Sequence, residues 1–144
     1  MKTIYLPIIN QLKTEVPALR WIDADMGQLD FYEMKPPVVF PCALIDIDLP
    51  KCEDLAELVQ DCDATITIRL AFEPMGQTNS TAPESVQNRA LAMWDTVSQV
   101  FTALQGFENA TFGSLSRTSQ VTEKRDDNIK VVKQVWDTVF EETA

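Results

Sequence analysis

The sequence predicts an α+β fold in which two helices pack on one face of a mainly antiparallel sheet of about four to five strands. Two observations support this prediction. Residues 65–72 alternate between polar and apolar side chains, the pattern of a strand with one buried face. Residues 85–104 place apolar side chains at steps of three and four, the pattern of an amphipathic helix. The predicted element order is α-β-β-β-α-β-β, ending in a long C-terminal hairpin, within a single domain of residues 1–144.

The first half of the chain is predicted to contain one helix and three strands. Apolar side chains at helical spacing predict the helix over residues 4–16, and Pro17 ends it because the residue before a proline disfavours the helical conformation. Strands are predicted over 21–23, 38–48 and 65–72. Pro41 predicts an edge position or a bulge in the second strand. Residues 51–63 are predicted to be a loop, with room for a helical turn at 55–58.

The second half is predicted to contain the long helix and the terminal hairpin. Ser80 or Thr81 is expected to cap the helix, and Gly106 to end it. Trp94 lies beside the apolar stripe of this helix and is predicted to be a core residue. The hairpin strands are predicted over 115–125 and 129–141.

The last strand is apolar on both of its faces. One face presents Ile129, Val131, Val135 and Val139, and the other presents Val132, Trp136 and Phe140. Helices of the same domain can cover one face, and we expect a neighbouring subunit to cover the other. Trp136 is either a core residue or an anchor of that interface, since tryptophan is enriched among residues that dominate binding energy. The interface candidates on this strand are Val131, Val135, Trp136 and Val139.

The hairpin also contains a basic cluster on an otherwise acidic chain. The sequence has 12 Lys plus Arg against 22 Asp plus Glu, a formal net charge of -10. The cluster consists of Arg117, Lys124, Arg125, Lys130 and Lys133. These side chains form either a solvated ribbon or a docking surface for an acidic neighbour, so all five are further interface candidates.

Composition argues against two classes of partner. The negative charge repels the phosphates of nucleic acids and the head groups of anionic lipids. No apolar run approaches the roughly 18 residues that a membrane-spanning helix needs. Polar residues from Asn10 onward interrupt the N-terminal apolar stretch before a signal-peptide core forms. We therefore expect a soluble protein that is not exported and has no nucleic-acid or membrane partner.

No constellation of residues predicts catalysis. The chain has no histidine, which excludes a Ser/His/Asp or Cys/His site and a histidine-bound metal. Cys42, Cys52 and Cys62 fit neither a metal-binding CxxC pair nor a paired disulfide framework, so they are predicted to be reduced, with Cys42 buried. The four glycines stand too far apart to form a phosphate-binding loop. The sequence therefore predicts no catalytic residue, no metal site and no cofactor.

Three acidic pairs leave an alternative function open. The pairs are Asp23 with Asp25, Asp46 with Asp48, and Asp61 with Asp63. Each pair places two carboxylates on one side of an extended segment. They are solvated acidic faces, a weak divalent-cation site or an acid/base pair. The alternative to a structural protein is thus a small cation-binding or ligand-binding domain, or an enzyme that uses these acids.

The chain resembles the tail-terminator, or tail-completion, proteins of long-tailed bacteriophages. The resemblance rests on the opening helix at 4–12, the strand at 64–72, the long helix at 85–104 and the final strand at 131–140, and it spans nearly the whole chain. Proteins of this family form a ring, commonly a hexamer, that caps the completed tail tube and offers a surface for joining the head. This chain departs from the family in its acidic segment at 46–63.

The resemblance implies a non-enzymatic structural protein of a phage or prophage tail. Its implied partners are further copies of the same chain, tail-tube proteins and head-neck proteins. Its implied location is the virion tail, after assembly in the cytoplasm of the bacterial host. Related neck and minor tail proteins share the same ingredients, and a cytoplasmic adaptor unrelated to phage fits the sequence equally.

Overall fold

The predicted fold class and element order are confirmed in a computed structural model that describes residues 1–30, 35–74 and 79–144, apart from the side chain of Arg89. Seven elements follow one another along the chain. They are α1 (Lys2–Glu15), β1 (Trp21–Ala24), β2 (Cys42–Ala56), β3 (Val59–Phe72), α2 (Glu84–Leu104), β4 (Ser116–Thr122) and β5 (Lys130–Thr143). The strands form one sheet in the order β1-β2-β3-β5-β4. Among the described residues, β1 pairs in parallel with β2, and the pairs β2–β3, β3–β5 and β4–β5 are antiparallel.

The two helices cover one face of the sheet, as the sequence predicts. Apolar side chains of α1 and α2, among them Ile8 and Val97, form a single core with residues that alternate along the central strands. Ile66 of β3 lies opposite Trp136 of β5 in this core. The ring of Phe101 on α2 stacks on Trp136 with centroids 6.2 Å apart. We call the sheet surface away from the helices the open face.

Part of the open face is covered by the chain itself. A second, smaller core there joins Leu29, Val38 and Phe40 of the β1–β2 connection to side chains of β2, β3 and β5. Cys42 belongs to this cluster and is buried, as predicted. The β1–β2 connection therefore covers one end of the open face, as the helices cover the opposite face of the sheet.

The segment at 51–63 is not a loop, contrary to the sequence-based expectation. β2 continues to Ala56 and β3 begins at Val59, so the two strands form one long hairpin. The end of β5 pairs with it, with Val59 opposite Thr143. Residues 51–58 are exposed on both faces, so they lack the period-two apolar pattern that marks a half-buried strand. We call residues 51–63 together with 139–143 the arm.

Two proline positions also differ from expectation. β2 begins at Cys42 and therefore lies after Pro41 rather than around it. The expected irregularity occurs instead between Asp48 and Lys51, where Pro50 has no backbone N–H to donate to the ladder. The N-cap of α2 is Pro83 rather than Ser80 or Thr81, and it makes no side-chain capping hydrogen bond.

Trp94 lies outside the core, which corrects the prediction. The buried stripe of α2 runs through Ala90, Met93, Val97, Val100 and Leu104. Trp94 follows Met93 by one residue, about 100° around the helix, and remains 41% exposed. Within the part of the chain that the structure describes, neither helix is long and apolar enough to cross a membrane.

Candidate assembly surface

The structure removes two of the nine predicted interface residues from the surface. Trp136 is fully buried beneath Phe101 of α2, so the core interpretation of this residue holds and the anchor interpretation is wrong. Val131 is fully buried in the second core, beneath the β1–β2 connection. The second apolar face of β5 is therefore partly covered by the protein's own chain, because the connection folds back over the start of the strand.

The rest of that apolar face is open. Val135 is half-buried and Val139 is 51% exposed. Val139 lies beside a shallow groove of about 410 Å³ between β3, β5 and the segment that precedes β4. The groove is lined by Pro50, Asp63, Ala64, Thr65, Ser114, Asp137, Thr138 and Val139. This end of the open face, where the arm begins, is the predicted surface that remains available to a partner.

The five basic candidates do not form one patch. The guanidinium of Arg117 lies over the ring of Phe101 at 4.1 Å and donates a hydrogen bond to Gln120 Oε1 at 2.8 Å. Arg125 is turned into an internal ion-pair network. Lys124 and Lys130 are exposed and Lys133 is half-buried. The lysines are therefore the members of the cluster best placed to meet another protein.

Arg69 lies at the centre of the ion-pair network on the open face. It is 8% exposed and stands between Leu44 of β2 and Lys133 of β5 in the register of the sheet. Its guanidinium donates two hydrogen bonds to Asp30, at 2.8 and 3.0 Å, and two to Glu123, at 2.9 and 2.8 Å. Such forked pairs are the strongest geometry available to an arginine and a carboxylate.

Arg125 extends this network towards the β4–β5 turn. Its Nη2 donates to Asp127 at 2.6 Å and also to the backbone oxygen of Leu29. Its Nη1 lies 3.7 Å from Asp30 and 3.6 Å from Glu123, so these two carboxylates are shared between the two arginines. The network ties the β1–β2 connection to both β3 and the terminal hairpin. It thereby holds in place the connection that covers the second core.

The network shifts the pKa values of its members. Hydrogen bonds from Arg69 lower the pKa of Asp30, and a hydrogen bond from Arg125 lowers the pKa of Asp127. Burial alone would lower the pKa of Arg69, but hydrogen bonds to Glu123 and Asp30 raise it above its ordinary value. Both arginines and both aspartates are consequently charged at neutral pH.

These shifts predict loss of stability in acid. A carboxyl group whose folded pKa is depressed contributes its stabilisation fully above its unfolded pKa, about 4 for aspartate, and loses it as the pH falls through the folded value. We therefore expect the free energy of unfolding in urea to fall below about pH 4. Asp127→Asn, which cannot titrate, should show a shallower fall. Parallel pH profiles of the two proteins would contradict this assignment.

The residues of the three acidic pairs lie in different environments. Asp25 lies 3.6 Å from Arg69 and is a counter-ion rather than part of a solvated face. Asp46 and Asp48 are exposed on the open face, as are Asp61 and Asp63 on the arm. Among the described residues, no group of three or more His, Cys, Asp or Glu side chains is arranged to hold a metal ion.

The tip of the arm is a surface feature that sequence reasoning missed. Leu55 lies near the end of β2 and Leu58 lies in the turn that joins β2 to β3, and they are 57% and 61% exposed. Acidic side chains surround them, including Glu53, Asp54 and Glu57. Two leucines in an acidic segment are the sequence signal for this feature, but a segment predicted to be a loop gives no reason to place them at one tip.

No model of a known protein family matches this chain, and no curated protein sequence matches it.

Proposed function

We propose that this protein is a non-enzymatic structural subunit of a phage or prophage tail, which assembles as a ring that terminates the tail tube and joins it to the head. The observation that supports the proposal most directly is the exposed apolar surface of the arm. Val139, Leu55 and Leu58 are each more than half exposed, and Leu55 and Leu58 lie at the tip of the arm. Exposed apolar surface on a folded domain is typical of interaction sites.

The distribution of charge along β5 favours contacts between unlike ends of two subunits. The strand has Lys130 and Lys133 near its start and Glu141 and Glu142 near its end. The acidic arm of one subunit is thus complementary in charge to the start of β5 in the next subunit, where Lys130 and Lys133 lie. A contact between two different patches repeats head to tail, and a head-to-tail contact that closes produces a ring. A two-fold dimer would instead use the same surface on both subunits, so that the arm of each meets the lysines of the other within one closed contact.

Self-association is the property that tests this proposal. We expect light scattering on the purified full-length protein to detect an oligomer whose mass grows with concentration, and electron microscopy to detect rings. Leu55→Gln combined with Leu58→Gln should shift the population towards monomer, because burying these side chains drives the contact. The matched control is Leu6→Gln with Leu91→Gln, which changes two exposed leucines on the helices. A monomer at every concentration would contradict the proposal.

Charge reversal tests the head-to-tail geometry. Glu141→Lys with Glu142→Lys should weaken association, and Lys130→Glu with Lys133→Glu should weaken it as well. Mixing the two variants should restore pairing between them, because each supplies the charge that the other now needs. Every junction of an alternating chain then pairs opposite charges, so the mixture should form rings in which the two variants alternate. Failure of the mixture to associate better than either variant alone would rule out this geometry.

A further inference from the structure

The arm brings two cysteines face to face. Cys52 of β2 and Cys62 of β3 are direct partners in the antiparallel register. Both are free thiols, and Cys52 is exposed whereas Cys62 is buried beneath it. The third cysteine, Cys42, belongs to the second core on the open face. The odd number and the long, even gaps of the cysteines predict no disulfide framework, and a segment predicted to be a loop gives no register that would place Cys52 opposite Cys62.

Facing positions of an antiparallel pair suit a disulfide. Opposed Cα atoms in such a pair lie about 4.5–5.5 Å apart, and disulfides join Cα atoms about 4.4–6.8 Å apart. The side chains of facing residues also leave the sheet on the same side. The neighbouring Cys52 thiol and burial together raise the pKa of Cys62 to about 11. The register of the two strands thus places Cys52 and Cys62 at positions whose usual separation suits a disulfide.

We propose that Cys52 and Cys62 are a modification site at which a low-molecular-weight disulfide, such as oxidised glutathione, forms an intramolecular disulfide across the arm. The exposed Cys52 thiolate attacks the oxidant and displaces one small thiol. The sulfur of Cys62, losing its proton, then attacks Cys52 in the mixed disulfide and displaces the second small thiol. The protein loses two protons and two electrons, and the oxidant leaves as two thiols.

The bond acts on a part of the chain that is weakly held. Residues 51–58 are exposed on both faces, so few buried contacts hold the β2 part of the arm against β3. A covalent link between them restricts the ways in which the arm can open. Its second effect rests on the proposed function: a particle assembled in a reducing cytoplasm and released into an oxidising medium would lock its arms after assembly.

The test uses the full-length protein, first reduced and then incubated with oxidised glutathione. We expect the intact mass to fall by about 2 Da, with no glutathione retained and one thiol, Cys42, left to alkylate after denaturation. Amide hydrogen exchange in the arm should slow in the oxidised protein. A stable glutathione adduct on Cys52, or a link between two chains in place of the internal one, would overturn the proposal.

Three variants make the result specific. Cys42→Ser should form the same disulfide as the wild type. Cys62→Ser should retain glutathione on Cys52, because the resolving thiol is missing. Cys52→Ser, which changes an exposed side chain, should form neither product, and it keeps the test valid if a change at the buried Cys62 unfolds the protein. The disulfide can be detected in a monomer, so a protein that fails to assemble but forms the bond would refute the proposed function alone.

Discussion

Trp136→Ala should destabilise the protein more than any other single change in the core of the helix-covered face. Trp136 is among the largest fully buried side chains, and it connects the stacked ring of Phe101 on α2 to the central strands. Removing a buried tryptophan costs about 3–5 kcal/mol, through lost burial and the cavity left behind. Against a typical stability of about 5–15 kcal/mol, this should lower the melting temperature by roughly 10–15 °C.

Two matched variants separate burial from chemistry. Trp94→Ala changes a tryptophan on α2 that is 41% exposed. This change should lower the free energy of unfolding by less than about 1 kcal/mol. Trp136→Phe keeps an aromatic ring but removes the indole Nε1, which has no hydrogen-bond partner within the described part of the chain. Because the lost N–H was unsatisfied, part of the cost of the smaller ring should be offset. Urea unfolding curves give all three free energies, and equal losses for Trp94→Ala and Trp136→Ala would contradict this assignment.

The elements with the clearest pattern in the sequence are those with one apolar and one polar face. Residues 65–72 alternate because β3 packs its even-numbered side chains beneath the helices, and α2 presents one apolar stripe for the same reason. Periodicity reports the contrast between a buried and a solvated face. Where that contrast is strong, sequence alone predicts both the element and the side that faces the core.

The arm could not be predicted for the converse reason. Residues 51–58 are solvated on both faces, so no contrast exists there, and the strand structure of residues 51–56 follows from pairing with β3 rather than from local pattern. The ion-pair network could not be predicted either, because its members lie far apart along the chain. Arg69 meets partners 39 and 54 residues away, at Asp30 and Glu123, and single positions of opposite charge at such separations have no pattern to detect.

The same network explains why the apolar run of β5 overstates the surface left for a partner. Ile129 and Val131 are buried by Leu29, Val38 and Phe40, and Arg69 and Arg125 hold that connection in place. A strand that is apolar on both faces therefore predicts a second covering layer. That layer is supplied either by the same chain or by a partner. Here the start of β5 is covered by the chain itself, and Val139 at the other end is not.

Arg69→Met should destabilise the protein by about 3 kcal/mol, because it removes the shared partner of several carboxylates at a poorly solvated site. Asp25, Asp30 and Glu123 would then lie near one another, and among the described residues Arg125 alone would keep ion pairs within this group, with Asp30 and Glu123. The connection that covers the second core should loosen, which faster amide hydrogen exchange around Leu29 would detect. Arg117→Met is the matched control; this arginine makes no ion pair within the described residues, so its loss should cost less than about 1 kcal/mol.

Replacing Asp30 and Glu123 together distinguishes a network of charges from simple packing. In the Arg69→Met background, Asp30→Asn with Glu123→Gln should recover part of the lost stability, because the amides no longer repel one another. The same two changes in the wild type should be destabilising, since they deprive Arg69 of its forked acceptors. Opposite signs in the two backgrounds are the signature of direct coupling. If the two amide changes have the same effect in both backgrounds, Arg69 contributes through its packing alone, and the connection over the open face is held by its apolar contacts.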